Sequence, residues 1–186
     1  MSSPPPEPWH SFLLELDASI DTRVQLNLIG GFVVTVVHGM PRRTADIDVV
    51  EIAVEGGGQA GRKIMELGQV GGPLYQSHHV YIEQVGVAPL CYDYEERLTE
   101  VFPGVYSHLI LMAADPYDIA LSKIERNSPR DRADVLYLAN HIPFDLDRLR
   151  QRYLAELRFY LGVPLREDLT LNLWIEAIEE ERAAKP

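Results

Sequence analysis

The amino-acid sequence predicts an α/β (α+β) fold in which a mixed sheet flanked by helices is followed by a C-terminal helical part. The first half alternates short apolar, β-branched segments with glycine turns such as Gly30-Gly31, which is the pattern of strands. Later, Asp115-Pro116 and Ser128-Pro129 each place a capping residue before a proline, as helix starts do. We therefore predict a disordered Pro-rich tail over 1–8, an α/β core over 9–114, and a helical region over 115–186 packed on that core.

Composition narrows the class of protein. The chain has 186 residues, 46% of them hydrophobic, and 28 acidic against 17 basic residues give a net charge of −11. These values exclude a disordered chain and argue against a nucleic-acid coat or a partner for anionic membranes. The single cysteine, Cys91, cannot form an intrachain disulfide, and no apolar run reaches the ~20 residues of a spanning helix. We expect a cytoplasmic protein with no membrane partner.

The helices and strands are predicted from the periodicity of apolar residues and from the glycine and proline residues that interrupt it. An amphipathic helix is predicted from Trp9 to Ile20, and a strand over 24–29 that ends at Gly30-Gly31. The segment 32–38 fits either a strand or a buried helix, and periodicity does not decide between them. We also predict strands over 46–54, 79–87 and 106–112, a helix over 59–67, a helical turn over 94–101, and helices over 115–126, from 128, over 145–162 and over 169–184.

Asp46-Ile47-Asp48 is the sharpest chemical feature of the sequence. On a strand, residues i and i+2 point to the same face, so both carboxylates are expected to project together. Two like charges at that distance repel unless they are solvated or a cation neutralises them. Hard oxygen ligands in this arrangement suit Mg²⁺ or Mn²⁺.

The residues upstream add to this pattern. A Gly-Gly turn after a strand allows a phosphate to come close to the backbone, and Arg42 is a candidate for neutralising that phosphate or for pairing with Asp48. Thr44 is placed to tether the loop beside the acids. A phosphate-binding turn, a basic residue and paired carboxylates together indicate nucleotidyl transfer, in which a third carboxylate commonly completes a two-metal site.

The stretch from Leu28-Ile29-Gly30-Gly31-Phe32 to Thr44-Ala45-Asp46-Ile47-Asp48 resembles the signature of minimal nucleotidyltransferases. It is closest to a bacterial branch described as a domain of unknown function, akin to the toxin nucleotidyltransferases of abortive-infection systems. Two later stretches, 92–98 and 118–135, also resemble that branch, so the similarity covers roughly residues 20–140. The usual signature has Gly-Ser where this chain has Gly30-Gly31, so a hydroxyl contact to phosphate is missing.

The resemblance implies roles for particular residues. It makes Asp46 and Asp48 metal ligands and expects a third acid, for which Glu83 stands in the matching place and Asp93 is the reserve. Lys123 matches a helical lysine that we expect to contact the triphosphate. The catalytic set predicted in this way is Asp46, Asp48, Glu83 and Lys123, and the nucleotide-binding set is Gly30, Gly31, Arg42, Thr44 and Lys123.

The leading functional hypothesis is a Mg²⁺- or Mn²⁺-dependent transfer of a nucleoside monophosphate from a nucleoside triphosphate to a hydroxyl. The resemblance implies tRNA, another RNA or a protein as acceptor, and a toxin with a cognate antitoxin as the biological setting. The alternative is a catalytically degenerate module of the same fold that binds a nucleotide or a partner. A metal-dependent phosphohydrolase is a third hypothesis, which the Gly-Gly turn disfavours.

Overall fold

A computed structural model describes residues 3–184, and the chain divides into two compact units. The first unit comprises the residues up to 87 together with 98–114, and the second comprises 88–97 together with the residues from 115 onward. The predicted boundary after 114 therefore coincides with the division, whereas 88–97 was assigned to the α/β core and lies instead with the helical unit. This segment contacts later residues of the helical unit: the Tyr92 N–H donates to the Glu156 carbonyl, and Arg97 pairs with Asp118 and Glu156.

The first unit is built on a five-stranded mixed sheet with the strand order β3-β2-β1-β5-β4. β1 pairs antiparallel with β2 and parallel with β5, β2 pairs parallel with β3, and β4 pairs antiparallel with β5. The strands are β1 (Val24–Ile29), β2 (Asp46–Val54), β3 (Tyr81–Gln84), β4 (Thr99–Val101) and β5 (Leu109–Ala113).

Four helices accompany this sheet among the described residues of the first unit. They are α1 (Trp9–Ala18), α2 (Gly30–Phe32, continuing as a π-helical turn over Val33–Val37), α3 (Ala60–Gly68) and α4 (Pro73–His78). The ambiguous segment 32–38 is therefore helical. Its residues Phe32, Val33 and Val34 are all completely buried, which consecutive residues on a helix packed on several sides can be and which explains the absence of alternation.

Two short elements of the first unit were not predicted. α4 occupies 73–78, and the left-handed His79 (φ 58°) ends it, so β3 begins at Tyr81 and is shorter than the predicted strand over 79–87. The predicted helical turn over 94–101 is divided between a 3₁₀-helix (Tyr94–Arg97) and β4. β4 has only three residues, and its strand form comes from pairing with β5 rather than from a local pattern.

A buried carboxylate ties α1 to the start of β5. Asp17 is only 5% exposed and accepts hydrogen bonds from the backbone N–H groups of Ser107, His108 and Leu109 at 2.9, 2.7 and 2.7 Å. These three amide donors offset the free-energy cost of burying the Asp17 carboxylate. This contact ties α1 to the end of the sheet where β5 begins.

The predicted disordered tail is partly ordered in the structure. Pro5 is buried, and the Pro6 carbonyl accepts hydrogen bonds from the N–H groups of Trp9 and His10. Residues 3–8 thus form the entry to α1, because the first helical N–H groups need acceptors outside the helix. Residues 1 and 2 lie outside the described part of the chain.

The second unit is helical. It contains α5 (Pro116–Leu121), α6 (Pro129–His141), α7 (Leu146–Arg152, continuing as a π-helical turn over Tyr153–Leu157) and α8 (Pro164–Ala184). The capping residues predicted at Asp115 and Ser128 are confirmed: Asp115 caps α5 through the Tyr117 N–H, and Ser128 forms a capping box with Asp131 at the start of α6. α5 ends at Leu121, earlier than predicted, and α8 begins at Pro164, earlier than the predicted 169.

Ion pairs hold the N-terminal end of α5 within this unit. The completely buried Asp118 accepts two hydrogen bonds from Arg97 at 3.0 Å and lies 3.1 Å from the Arg152 guanidinium, which also contacts Asp115 at 2.6 Å. Two guanidinium groups thus offset two carboxylates at a helix N-terminus. Within residues 3–184, no helix is both long and apolar enough to cross a membrane.

Candidate active site

The register of two parallel strands brings three acidic residues to one face of the sheet. Asp46 and Asp48 alternate with the buried Ile47 on β2, so their side chains point to the same face. In the β2–β3 pair, Asp48 lies opposite Glu83 and Asp46 lies opposite Tyr81. Glu83 therefore stands beside Asp48 across the ladder, at the exposed edge of the sheet.

The distances in this cluster suit a divalent cation. One carboxylate oxygen from each of Asp46, Asp48 and Glu83 lies within 4.8 Å of the others. Oxygens that share an octahedral Mg²⁺ are about 2.9 Å apart when adjacent and about 4.2 Å apart when opposite. The limit of 4.8 Å lies slightly above that range, and an all-oxygen donor set fits Mg²⁺ or Mn²⁺.

The glycine turn after β1 lies directly against Asp48. Gly30 has a φ of +73°, and a Cβ atom on it would stand 1.7 Å from Asp48 Oδ2. The next N–H, that of Gly31, donates to the same oxygen at a donor–acceptor distance of 3.4 Å. Glycine at position 30 is thus required both by the backbone angle and by the space that Asp48 occupies.

The loop before β2 contributes two more side chains, those of Arg42 and Thr44, to the region around Gly31 and Asp46. Thr44 donates a hydrogen bond from its hydroxyl to Asp46 Oδ1 at 2.6 Å, which fixes the rotamer of that carboxylate. A Cβ atom built on Gly31 would lie 2.7 Å from Thr44 Oγ1 and 3.3 Å from the nearest terminal nitrogen of Arg42. Gly30, Gly31, Arg42, Thr44, Asp46, Asp48 and Glu83 therefore converge in one region of the first unit.

Sequence reasoning missed Tyr81, which shares this face. It is the register partner of Asp46, and its ring contacts that of Tyr75 edge-on at a centroid distance of 5.9 Å. Burial, followed by the charges of Asp46, Glu83 and Asp48, raises the pKa of Tyr81. The phenol therefore stays protonated at neutral pH beside the carboxylates. Its position two residues before Glu83 on a strand was the signal that could have identified it.

Lys123 lies in the second unit and has acidic partners there. Its side chain is 4% exposed, and its ammonium is 3.1 Å from Asp134 and 3.7 Å from Asp131. Asp131 also accepts hydrogen bonds from Arg126 and Ser128. Burial would raise the pKa of Asp131, but these hydrogen bonds and the Lys123 charge hold it well below its usual range. The role of Lys123 toward a triphosphate stays a prediction.

The reserve acid and the cysteine also lie in the second unit. Asp93 immediately precedes the 3₁₀-helix over 94–97. Within residues 3–184, the cluster of acidic residues close enough to share an ion consists of Asp46, Asp48 and Glu83, and Asp93 does not belong to it. Cys91 is buried, and burial together with the neighbouring Asp118 raises the pKa of its thiol. A protonated, buried thiol is a poor nucleophile, which fits a packing role.

The sequence was compared with models of known protein families. A family model described as "Nucleotidyltransferase of unknown function (DUF6036)" matches residues 11–181. The chain belongs to this family. The match extends beyond the stretch of resemblance over 20–140 and includes residues of both units, so the helical unit is part of the family domain. No curated protein and no solved structure gives a significant match.

Membership in this nucleotidyltransferase family confirms the sequence-based assignment of the general class, and the mixed sheet with its flanking helices is consistent with that fold. The turn at Gly30-Gly31 and the Asp46-Ile47-Asp48 strand both lie inside the matched region. The family description specifies neither a metal nor a substrate.

Proposed function

We propose that the chain is a metal-dependent nucleotidyltransferase that transfers a nucleoside monophosphate from a nucleoside triphosphate to a hydroxyl group of RNA or protein. The observation that carries this proposal is the convergence of Asp46, Asp48 and Glu83, whose carboxylate oxygens lie within 4.8 Å of one another beside a glycine turn. Three acids at that spacing are costly without a cation, because the negative charge of each carboxylate disfavours the ionised form of the others.

Asp46, Asp48 and Glu83 would hold Mg²⁺ or Mn²⁺. A bound divalent ion supplies Lewis-acid stabilisation of the charge that develops on the transferring phosphoryl group. The chain's own contribution is to fix the ligands: the Thr44 hydroxyl orients Asp46, and the Gly31 N–H orients Asp48. Ligands whose rotamers are held in advance lose less entropy on binding.

The proposed reaction breaks one bond and forms one. The acceptor hydroxyl oxygen bonds to the α-phosphorus, while the bond from that phosphorus to the bridging oxygen breaks and pyrophosphate leaves with the electron pair. The hydroxyl proton passes to solvent or to the Glu83 carboxylate, which is exposed on the edge strand. The triphosphate needs cationic partners, and Arg42 and Lys123 are the candidates.

The acceptor and the biological setting rest on the family resemblance. We propose tRNA or another RNA, or a protein side chain, as acceptor, and a toxin restrained by a cognate antitoxin as the setting. A triphosphate-consuming enzyme would act in the cytoplasm, where its substrate is abundant. The arginines of the helical unit support an RNA acceptor, although several are paired with acids, such as Arg152 with Asp115 and Arg158 with Asp168.

One observation favours a second candidate, a nucleotide- or partner-binding module without turnover. The Lys123 ammonium is held by two buried carboxylates, so contact with a triphosphate would have to compete with Asp131 and Asp134. If Lys123 keeps these partners in the presence of nucleotide, it cannot offset the charge of a triphosphate at the Gly30-Gly31 turn. The site would then have fewer cations than nucleotidyl transfer needs.

Pyrophosphate release separates the two candidates. Each of the four nucleoside triphosphates is incubated with the protein and Mg²⁺, with and without total cellular RNA or protein extract, beside the Asp48→Asn variant. Nucleotidyl transfer predicts Mg²⁺-dependent pyrophosphate that requires Asp48. Nucleotide binding with no release of pyrophosphate under any of these conditions would support the binding module, and release of nucleoside diphosphate would support a phosphohydrolase.

A further inference from the structure

The exposed apolar side chains of the chain are concentrated in the second unit. Among the residues that the structure describes, eleven large apolar side chains are exposed, and three of them, Leu14, Val70 and Val87, lie in the first unit. The other eight lie in the second unit, and seven of these fall between positions 154 and 173. Isolated exposed apolar residues are ordinary, but a concentration of them marks an interaction surface.

Three of these residues form a leucine stripe along α8. Leu165, Leu169 and Leu173 are four residues apart, so they follow one another along one side of the helix, and each is more than half exposed. The opposite side of α8 buries Trp174 and Ile178. The solvent-facing side of a helix is normally polar, so a second apolar side indicates a second packing partner for α8.

Three aromatic rings lie near the N-terminal end of the same helix. The Tyr160 ring lies parallel to that of Tyr92 at a centroid distance of 6.5 Å and contacts that of Phe159 at 4.2 Å, and all three are more than half exposed. An ion pair of 2.8 Å between Arg158 and Asp168 ties this turn to α8. Exposed tyrosine and phenylalanine rings are typical of protein interfaces, because they bring a large contact area with few rotatable bonds.

We propose that the leucine stripe and the three aromatic rings form an interface through which two copies of this chain pair about a twofold axis. Such pairing needs only one patch, which packs against its own copy. At the usual areas of these side chains, the eight exposed residues of the second unit present about 900 Å², and each partner in a standard interface contributes about 800 Å². The inference goes beyond the proposed function and does not depend on it.

Charge selects the orientation of the two copies. Glu176 and Glu180 are exposed and continue the line of the leucine stripe toward the C-terminal end of α8. Parallel helices would place these glutamates against their own counterparts, where like charges repel. Antiparallel helices centred near Leu169 bring Leu165 of one copy against Leu173 of the other and move the glutamates toward the positive N-terminal end of the opposite helix.

The same glutamates distinguish a second copy from other occupants. Acidic side chains beside the stripe disfavour RNA and anionic membranes, which are themselves negative. A different protein is the remaining alternative, and it is an outcome of the first test.

Sedimentation equilibrium of the full chain measures its mass over a range of about 1 to 100 μM. We expect the mass to rise with concentration toward twice the 21.0 kDa of one chain. A mass of 21.0 kDa at every concentration would overturn the proposal and leave a different protein as the occupant of this surface.

Leu169→Glu tests whether the stripe is the interface. It is expected to weaken pairing by at least about a hundredfold, because it places two carboxylates at the centre of an apolar contact. Leu169→Ser, which adds no charge, should weaken pairing by about tenfold. Val70→Glu is the matched control, since Val70 is 58% exposed and Leu169 is 60% exposed, and it should leave the dissociation constant within about twofold. Circular dichroism verifies that each variant is folded, and folded Leu169 variants that pair like the wild type would overturn the proposal.

Cysteine cross-linking with a short bismaleimide tests the antiparallel arrangement. Leu169→Cys is expected to link two copies to each other, whereas Leu165→Cys should link to Leu173→Cys in a mixture and not to itself. The wild type is the control, because its one cysteine, Cys91, is buried. Self-linking of Leu165→Cys without linking of Leu169→Cys would contradict the antiparallel pairing, as would links at none of the three positions.

Discussion

Gly30, the first residue after β1, lies directly against Asp48 on β2: a Cβ atom on Gly30 would lie 1.7 Å from Asp48 Oδ2. The antiparallel register of β1 and β2 creates this contact, since Ile29, the residue before Gly30, is the partner of Asp48. The glycine turn and the acidic strand are thus one structural unit, and a change at either residue must affect the other.

Gly30→Ala is therefore expected to lower the free energy of unfolding by more than the positive φ at this position alone explains. A non-glycine residue at positive φ costs about 1–2 kcal/mol, and the contact with Asp48 adds to that cost. Gly104→Ala is the matched control, because Gly104 has nearly the same φ (+74°) and no atom within 4 Å of the added Cβ. Chemical denaturation of both variants gives the comparison. Equal losses of unfolding free energy in the two variants would mean that Asp48 moves away without penalty.

The third acid can be assigned by a pair of neutral substitutions. Glu83→Gln is expected to lower Mn²⁺ affinity by about tenfold or more, because one of the three carboxylate charges proposed to hold the ion disappears. Asp93→Asn should leave the affinity within about twofold. Both changes preserve side-chain volume, so calorimetric titration with Mn²⁺ compares charge alone. The opposite ranking would assign the third acid to Asp93.

Lys123→Ala should destabilise the second unit whatever its role in binding. The substitution removes the buried ammonium that lies 3.7 Å from Asp131 and 3.1 Å from Asp134, which are 0% and 1% exposed, and removing one partner of a buried ion pair costs about 3–5 kcal/mol. Lys63→Ala, at an exposed lysine that donates to the Ser19 carbonyl, should change stability by about 0.5 kcal/mol or less.

Adding Asp134→Asn to Lys123→Ala should recover part of the lost stability. The folded double variant then permits a test of nucleotide affinity. A loss of about one to two powers of ten in that background would support the predicted triphosphate contact, whereas unchanged affinity would make Lys123 a structural residue.

The lowered pKa of Asp131 predicts a specific dependence of the protein's stability on acidic pH. Its folded-state pKa lies below the unfolded value of about 3.9, so its contribution to stability is fully present above that pH and is lost as pH falls toward the folded pKa. Asp131→Asn should therefore be less stable than the wild type by a constant amount from pH 5 to 8, and the difference should shrink below about pH 4. Asp147→Asn, at a 94% exposed acid, should show no such window. A constant difference down to pH 2 would contradict the assignment.

The sequence predicted the two central strands, and the shared face of Asp46 and Asp48, because both depend on local patterns. The bounds of β1 and β2 agree with the predicted strands over 24–29 and 46–54, and i, i+2 spacing was enough to place Asp46 and Asp48 on one face. Glu83 was identified from the family resemblance, and the strand register then brought it beside Asp48.

What the sequence did not reveal depends on contacts between distant segments. The space over Gly31 is filled by Arg42 and Thr44, and no local pattern links a glycine turn to a loop more than ten residues later. β4 exists because it pairs with β5, and 88–97 joins the helical unit because Arg97 meets Asp118 and Glu156. Such pairings are set by topology rather than by residue propensity.

The most direct test of the central claim follows the two ends of the triphosphate. Nucleoside triphosphates labelled at either the α- or the γ-phosphate are incubated with the protein, Mg²⁺ and cellular RNA or protein. We predict that the α-label becomes attached to a macromolecule and that the γ-label leaves as pyrophosphate. Asp46→Asn with Asp48→Asn should abolish transfer without lowering the melting temperature in the absence of metal, since the change relieves repulsion. Transfer of the γ-label, release of inorganic phosphate alone, or α-label transfer that survives in the double variant would contradict it.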